Sequence, residues 1–267
     1  MNLELIESVK EILEKVRVLT GKEIKFVERN DMTEYAALKA ARKHMPFHLM
    51  LYKTEHDKLI NHLIAHECGH LLRIFNVPEN KRLIPMTNDQ LKLKALTEIE
   101  PEIEKLSSNL PFDALTQIVN MWYMGIVRQL TNHPPDIMIE KWIYDEYPEL
   151  RPYQSQSIWK QHSESIGGLS REVMKMTPRK IMHSSNVMNY AFFRVLGLHF
   201  KVNYIRPYKK SPYVDDGKEL ATMIQDYSDN YEGDIEMINR WAEFLGLSNW
   251  FSWKNFEDIP ENYEDMM

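Results

Sequence analysis

The sequence predicts an α+β fold that is mostly helical, with a small sheet beside one long apolar helix and a helical C-terminal extension. Two short segments, residues 23–28 and 47–53, are rich in β-branched or aromatic residues, as strands are. Residues 55–75 are rich in leucine and isoleucine and contain no proline, which predicts a buried helix. Helical patterns dominate the chain from residue 89 onward, so helices should outnumber strands.

The chain length suits one large domain or a domain with an extension. It has 267 residues, of which 43% are hydrophobic, enough for a proper core. No flexible linker separates the two halves of the sequence. We therefore expect one domain over residues 1–150 and a helical region over residues 151–267 that packs on it.

The first element is predicted to be an amphipathic helix. Its apolar residues recur at helical spacing from Leu3 to Val16. Gly21 then supplies the glycine stop with which many helices end. The alternating segment 23–28 follows as a strand.

The next segment, residues 35–42, is ambiguous because its four alanines favour a helix. Met45 and Pro46 end the run, and the strand-like residues 47–53 follow, which favours a β-hairpin. The strand over residues 47–52 could lie at the edge of the sheet or in its interior. An edge strand could bind an extended peptide through its backbone, and an interior strand could not.

The long apolar helix carries the pattern HExxH, spelled by His66, Glu67, Cys68, Gly69 and His70. An α-helix turns about 100° per residue, so the two histidines lie one above the other, where both can bind one metal ion. Glu67 is rotated off that line and can reach a water on the metal, as a general base must. Cys68 is interpreted as core packing, whereas Gly69 would let another backbone come close.

A further histidine, His62, precedes the motif by one turn. It drifts around the helix relative to His66. We interpret it as a solvated histidine, or as one that supports a ligand without binding the metal itself.

Core helices are predicted after the motif. A loop runs from Pro78 to Pro85, and helices follow near residues 89–107 and 111–130, the first bent or broken at Pro101. Alternate glutamates spread around the first of these helices, so they are interpreted as a solvated face. They are Glu98, Glu100, Glu102 and Glu104.

Another helix is predicted to begin at Pro134 and Pro135, with Asp136 in its first turn and Glu140 one turn later on the same face. Helix capping explains Asp136. It does not explain Glu140, whose neighbours are large and apolar, because a buried carboxylate needs a cation. Glu140 is therefore predicted as the third metal ligand. Asp136 is predicted to hydrogen-bond a ligand histidine, with the role of third ligand as its alternative.

The second half of the chain is predicted to be mostly helical. A strong helix begins near residue 184, and a final helix over residues 234–245 precedes an acidic, aromatic tail. No internal repeat is present.

The composition excludes several classes of function. The net charge is −6 with a pI near 6.0, and positive residues are scattered, so nucleic acid is not an expected partner. The single cysteine cannot form an internal disulfide, and the first residues are acidic where a secretory signal would be basic. No apolar stretch reaches the roughly 18 to 20 residues that span a bilayer. We expect a cytoplasmic protein without a membrane partner.

The order of a strand, the HExxH helix and an acidic helix resembles the zincin metallopeptidases, specifically the gluzincin branch, whose third ligand is a glutamate. The run from His66 to Leu72 is similar to the HExGHxL run of the small ImmA/IrrE-type peptidases. The resemblance covers roughly residues 20–75 and the helix of Glu140. It implies a zincin-like core in which His66 and His70 bind zinc. One departure is that positions 70 and 140 are farther apart than in the compact members.

The function expected from these residues is that of a zinc-dependent metallopeptidase acting on a peptide or protein. Zinc would lower the pKa of a bound water towards about 7, and Glu67 would take its proton and pass it to the leaving amine. A catalytically silent zincin-fold protein that binds or regulates a partner is the alternative. A structural metal site is a third hypothesis, which the single cysteine disfavours because structural zinc usually has four ligands, often cysteines.

A donor to the oxyanion of the substrate is also expected. The sequence does not rank its candidates, and it does not predict an oligomeric state. The candidates are His183, Tyr190, His199 and Tyr204.

Overall fold

The computed structural model describes residues 3–32, 35–56, 59–107 and 111–260. Their fold is mostly helical with a small mixed sheet, which confirms the predicted α+β class at this level. The helices are α1 Glu7–Thr20, α2 Leu59–Phe75, α3 Asp89–Ser107, α4 Phe112–Glu146, α5 Arg151–Ile166, α6 Arg171–Met176, α7 Arg179–Phe200, α8 Val214–Met223 and α9 Tyr231–Leu245. The strands are β1 Glu23–Glu28, β2 Ala36–Lys39, β3 Phe47–Tyr52, β4 Leu83–Met86 and β5 Ser252–Asn255.

The chain forms two compact units, each built from separate stretches of sequence. The first comprises Met1–Ile84, Met138–Trp159 and Lys254–Met267, and the second comprises Pro85–Ile137 and Lys160–Trp253. α4 therefore enters the first unit at residue 138, and α5 leaves it after residue 159. The division into a domain over residues 1–150 and a helical region over residues 151–267 stays a prediction.

The first unit contains a three-stranded sheet in the order β1-β3-β2. β3 pairs in parallel with β1 and antiparallel with β2. The predicted hairpin is therefore confirmed. β3 is the central strand, so the hypothesis that it offers a free edge to a peptide is wrong, because both of its edges already bond to neighbouring strands.

The core of the first unit is formed by α1, β3, α2 and the end of α4. Gly21 ends α1 with a φ of 69°, the left-handed conformation that a glycine stop provides. The apolar side chains that α1 and α2 contribute are fully buried over successive turns, as the helical spacing predicts. The buried members are Val9, Ile12, Val16, Met50, Tyr52, Ile60, Ile64, Ala65, Cys68, Leu71, Ile139, Ile143, Tyr147 and Leu150.

α4 overturns one prediction. The pair Pro134 and Pro135 was expected to open a new helix, but both prolines lie inside one helix of 35 residues. A proline inside a helix removes a backbone hydrogen bond and costs about 3 kcal/mol. Here the turns on both sides of the pair carry buried apolar residues, among them Leu130 and Ile137, and their burial offsets that cost. α3 likewise continues through Pro101.

The second unit is helical, with α7 packed on α8. A side-chain methyl at Gly217 of α8 would clash with the ring of Tyr190 on α7, so these two helices approach closely. Two elements escaped prediction, since β4 and β5 pair as a separate two-stranded sheet. β4 contains Pro85, and a proline in a sequence pattern allows only an edge strand or no strand, which weakened the signal for β4.

Candidate metal centre

α2 places the motif residues as their spacing predicts. The rings of His66 and His70 lie one turn apart with centroids 5.1 Å apart, close enough for both imidazoles to bind one metal ion. Both side chains are partly exposed, as is Glu67. Solvent therefore reaches the motif residues.

The two remaining motif residues face the interior. Cys68 is fully buried in the core, where burial raises the pKa of its thiol well above the usual range. This confirms its interpretation as core packing. A methyl group at Gly69 would lie 2.6 Å from Cγ2 of Ile139, so the glycine allows α2 to approach α4. The close neighbour is a side chain rather than the backbone that was expected.

The side chain of Glu140 projects from α4 onto α2. The sequence predicts such a partner for this residue, because it is an acid in an apolar helix. Its Oε1 lies 2.8 Å from Nδ1 of His66. Nε2 of His62 lies 3.1 and 3.0 Å from the two carboxylate oxygens. Gln154 of α5 donates to Oε2 over 2.6 Å. The structure therefore brings Glu140 to His66 and to His62, and it adds Gln154, a partner that the sequence did not assign to this site.

The Glu140 carboxylate is ionised in its buried position. Only 2% of the residue is exposed, and burial alone would raise its pKa. The charge of His62 and the hydrogen bonds from His62 and His66 outweigh that effect, and they hold the pKa of Glu140 well below its usual range. Imidazole N–H groups are thus the first partners of this buried carboxylate.

His62 is not the solvated histidine that the sequence allowed. It is buried, with 1% of its surface exposed, and it contacts Glu140, which fits the other expected role, support of the site without metal binding. The sequence signal for this supporting role is the recurrence of histidine at positions 62, 66 and 70, since residues four apart lie near one another on a helix. Gln154 gave no comparable signal, because its proximity to Glu140 depends on the packing of α5.

The other predicted residues occupy the second unit. Asp136 lies on α4 one turn before Glu140, and its predicted role stays a prediction. The four oxyanion candidates also lie there. Among them, Nε2 of His183 is 2.8 Å from Asp216, and Tyr190 and Tyr204 are almost fully buried. Glu98 bonds with Lys180, and Glu102 accepts from the backbone of Arg179 over 2.9 Å, so these two glutamates engage protein partners.

The hydrogen bonds at Glu140 define the state of His66. An ionised carboxylate can only accept hydrogen bonds. Nδ1 of His66 must therefore carry the proton of the 2.8 Å hydrogen bond to Glu140. The lone pair of a neutral His66 then lies on Nε2, at the opposite side of the ring. This is the tautomer that a histidine needs to bind a metal through Nε2, with its other nitrogen on a carboxylate. The residues therefore fit a zinc ion.

Comparisons with protein-family models, with curated proteins and with solved structures gave no significant match. The resemblance to the zincins thus stays a prediction from the sequence. In the part of the chain that the structure describes, none of the helices is long and apolar enough to cross a membrane.

Proposed function

We propose that the protein is a zinc-dependent metallopeptidase. One observation carries the proposal, namely the neighbouring rings of His66 and His70 on α2 with a buried carboxylate on Nδ1 of His66. Two imidazoles on one face of a helix, with a carboxylate behind one of them, are the parts of a catalytic zinc site. Glu67 adds a partly exposed carboxylate beside them.

The third ligand comes from α4 in this proposal. The sequence predicts Glu140, with Asp136 as its alternative. The contacts of Glu140 support the alternative. Oε1 of Glu140 bonds to Nδ1 of His66, on the side of the ring opposite to Nε2. Oε2 of Glu140 accepts hydrogen bonds from His62 and Gln154. Asp136 then completes the ligand set, and Glu140 holds a ligand from behind.

Each residue has a defined task in the proposed reaction. Zinc, when bound, supplies a Lewis acid that polarises the peptide carbonyl and makes a water acidic. Glu67 accepts the proton of that water as general base and delivers it to the leaving amine as general acid. Glu140 keeps the His66 ring in place, so Nε2 of His66 does not turn away from the metal between turnovers.

The experiment compares the wild type with Glu67→Gln on fluorescein-labelled casein, with zinc measured in both samples. The amide keeps the size of the side chain and can still bond to water, but it cannot accept a proton. We expect cleavage by the wild type, and a rate lower by several orders of magnitude in Glu67→Gln at unchanged zinc content. Equal rates in the two proteins would rule out this role of Glu67. Zinc binding without cleavage by the wild type would favour the catalytically silent alternative.

A further inference from the structure

Glu140 is held on three sides by side chains of two other helices. His62 and His66 reach it from α2, and Gln154 reaches it from α5. His62, Glu140 and Gln154 are each at most 2% exposed. Competition from water for these hydrogen bonds is therefore slight, and bonds to a charged acceptor are strong in such surroundings.

Gln154 fixes the conformation of Glu140 at two points. Its Nε2 donates to Oε2 of Glu140 over 2.6 Å and to the backbone carbonyl of the same residue over 2.7 Å. One amide therefore ties the end of the Glu140 side chain to its own backbone. The carboxylate cannot rotate towards another partner without breaking a buried hydrogen bond to a charged acceptor.

His62 holds the other side of the carboxylate. Its Nε2 lies almost equally far from both oxygens, at 3.1 and 3.0 Å. Within the described residues, Nδ1 of His62 has no hydrogen-bond partner, so the ring is held through Nε2. The arrangement leaves Oε1 aimed at Nδ1 of His66, the shortest of the three imidazole contacts.

We propose that Glu140 is a positioning residue which, clamped by His62 and Gln154, keeps the proton of His66 on Nδ1 and thereby presents Nε2 to the metal. This inference rests on the proposed zinc site, and it assigns the clamp itself a task. His62 and Gln154 contribute to metal affinity without contacting the metal. Glu140 would then be the support of the site and not one of its three ligands.

The test measures the zinc dissociation constant by competition with a chelator, together with the tautomer of His66 by ¹⁵N NMR. Glu140→Ala should still bind about one zinc per chain at saturation, with affinity lower by about 10- to 100-fold. His66 should lose its exclusive Nδ1–H form in the metal-free variant. Glu140→Gln should recover most of the affinity, because its amide oxygen can still accept from Nδ1 of His66. Gln154→Leu should fall between Glu140→Ala and the wild type.

Asp234→Ala is the matched control, since Asp234 is a buried acid of the second unit. It should lower stability and leave both the zinc affinity and the His66 tautomer unchanged. Complete loss of zinc in Glu140→Ala at saturation would show that Glu140 is a ligand, and wild-type affinity with an unchanged tautomer would show that it has no positioning role. Either result overturns the inference. A wild-type protein that binds no zinc would instead defeat the proposed function, while the tautomer of His66 would still report on the clamp.

Discussion

α4 carries two buried polar clusters that both contain histidine, one in each unit, and they differ in charge. In the first unit, the ionised Glu140 receives hydrogen bonds from His62, His66 and Gln154. In the second unit, His133 bonds to neutral amides, and Asp136 is the charged group that acts on its pKa. Nε2 of Gln129 donates to Asn189 over 2.8 Å, and Nε2 of His133 lies 3.2 Å from each of these amides.

The difference in partners gives the histidines different tasks. Burial lowers the pKa of His133, and its ring packs 4.6 Å from that of Phe192, so it is a neutral part of the core. A neutral amide partner stabilises an imidazole that carries a positive charge or binds a cation less than an ionised carboxylate does. We therefore expect metal chemistry at His66 and only structural stability from His133.

The largest effect is expected from a change of the carboxylates on α4. Asp136→Ala should abolish tight zinc binding, because two remaining imidazoles hold zinc poorly. Glu140→Ala should weaken binding only by about 10- to 100-fold. The measurement is a chelator competition carried out on both variants. If Asp136→Ala keeps tight binding and Glu140→Ala loses it, then Glu140 is the ligand, as the sequence alone predicted.

His133→Ala should break the neutral cluster and leave the charged one intact. It removes a buried ring and takes a hydrogen-bond partner from Gln129 and from Asn189. We expect the free energy of unfolding to fall by about 2 to 4 kcal/mol, measured by urea denaturation. The zinc content should stay at the wild-type level. Loss of zinc at unchanged stability would contradict the division of roles between the two clusters.

His48 sharpens the comparison, since it is a second neutral histidine and lies in the same unit as the charged cluster. It is buried, with Nδ1 3.0 Å from the backbone nitrogen of Ala41 and Nε2 3.0 Å from Oγ1 of Thr20. Burial and the charge of Lys22 lower its pKa from the ordinary 6.5 to about 4. Between these two values the unfolded chain binds a proton that the folded chain does not, so stability falls as the pH falls through this window.

The expected size of that effect follows from the two pKa values. Lowering the pH from 7 to 5 should cost the wild type about 2 kcal/mol more than His48→Gln, whose amide can bond to both Ala41 and Thr20. Urea unfolding at the two pH values measures the difference. An equal loss of unfolding free energy in both proteins would mean that folding does not lower the pKa of His48.

The smallest effect is expected at Gly69, which sets the spacing between α2 and α4. Gly69→Ala would bring a methyl group to 2.6 Å from Cγ2 of Ile139. Overpacking of this kind costs about 1 to 3 kcal/mol, and the better helix propensity of alanine returns about 1 kcal/mol, so a net loss of about 1 kcal/mol is expected. In an Ile139→Ala background the same change should stabilise the protein. A double-mutant cycle that shows no coupling would remove the spacing argument.

Much of this site can be predicted from the sequence because its signals are local. The spacing of His66 and His70 fixes their common face, and an acid at position 140 among apolar residues predicts a charged partner. The contacts around Glu140 are not local. They depend on which nitrogen of His66 turns towards α4 and on where α5 places Gln154, and neither follows from spacing along one helix.

The errors in the fold have the same origin. The position of β3 in its sheet depends on pairing with β1, which is distant in sequence. The continuity of α4 through Pro134 and Pro135 depends on the burial of the flanking turns, which outweighs the local preference of proline to begin a helix. Local rules predicted the existence of these elements well, whereas their neighbours and limits are decided by tertiary packing.

The zinc content of three proteins tests the central claim most directly. The wild type, His70→Ala and His133→Ala are purified alike, saturated with zinc, dialysed and measured by elemental analysis. The account predicts about one zinc per chain in the wild type and in His133→Ala, and almost none in His70→Ala. Full zinc in His70→Ala, or its loss in His133→Ala alone, would contradict the assignment of the metal to the HExxH helix.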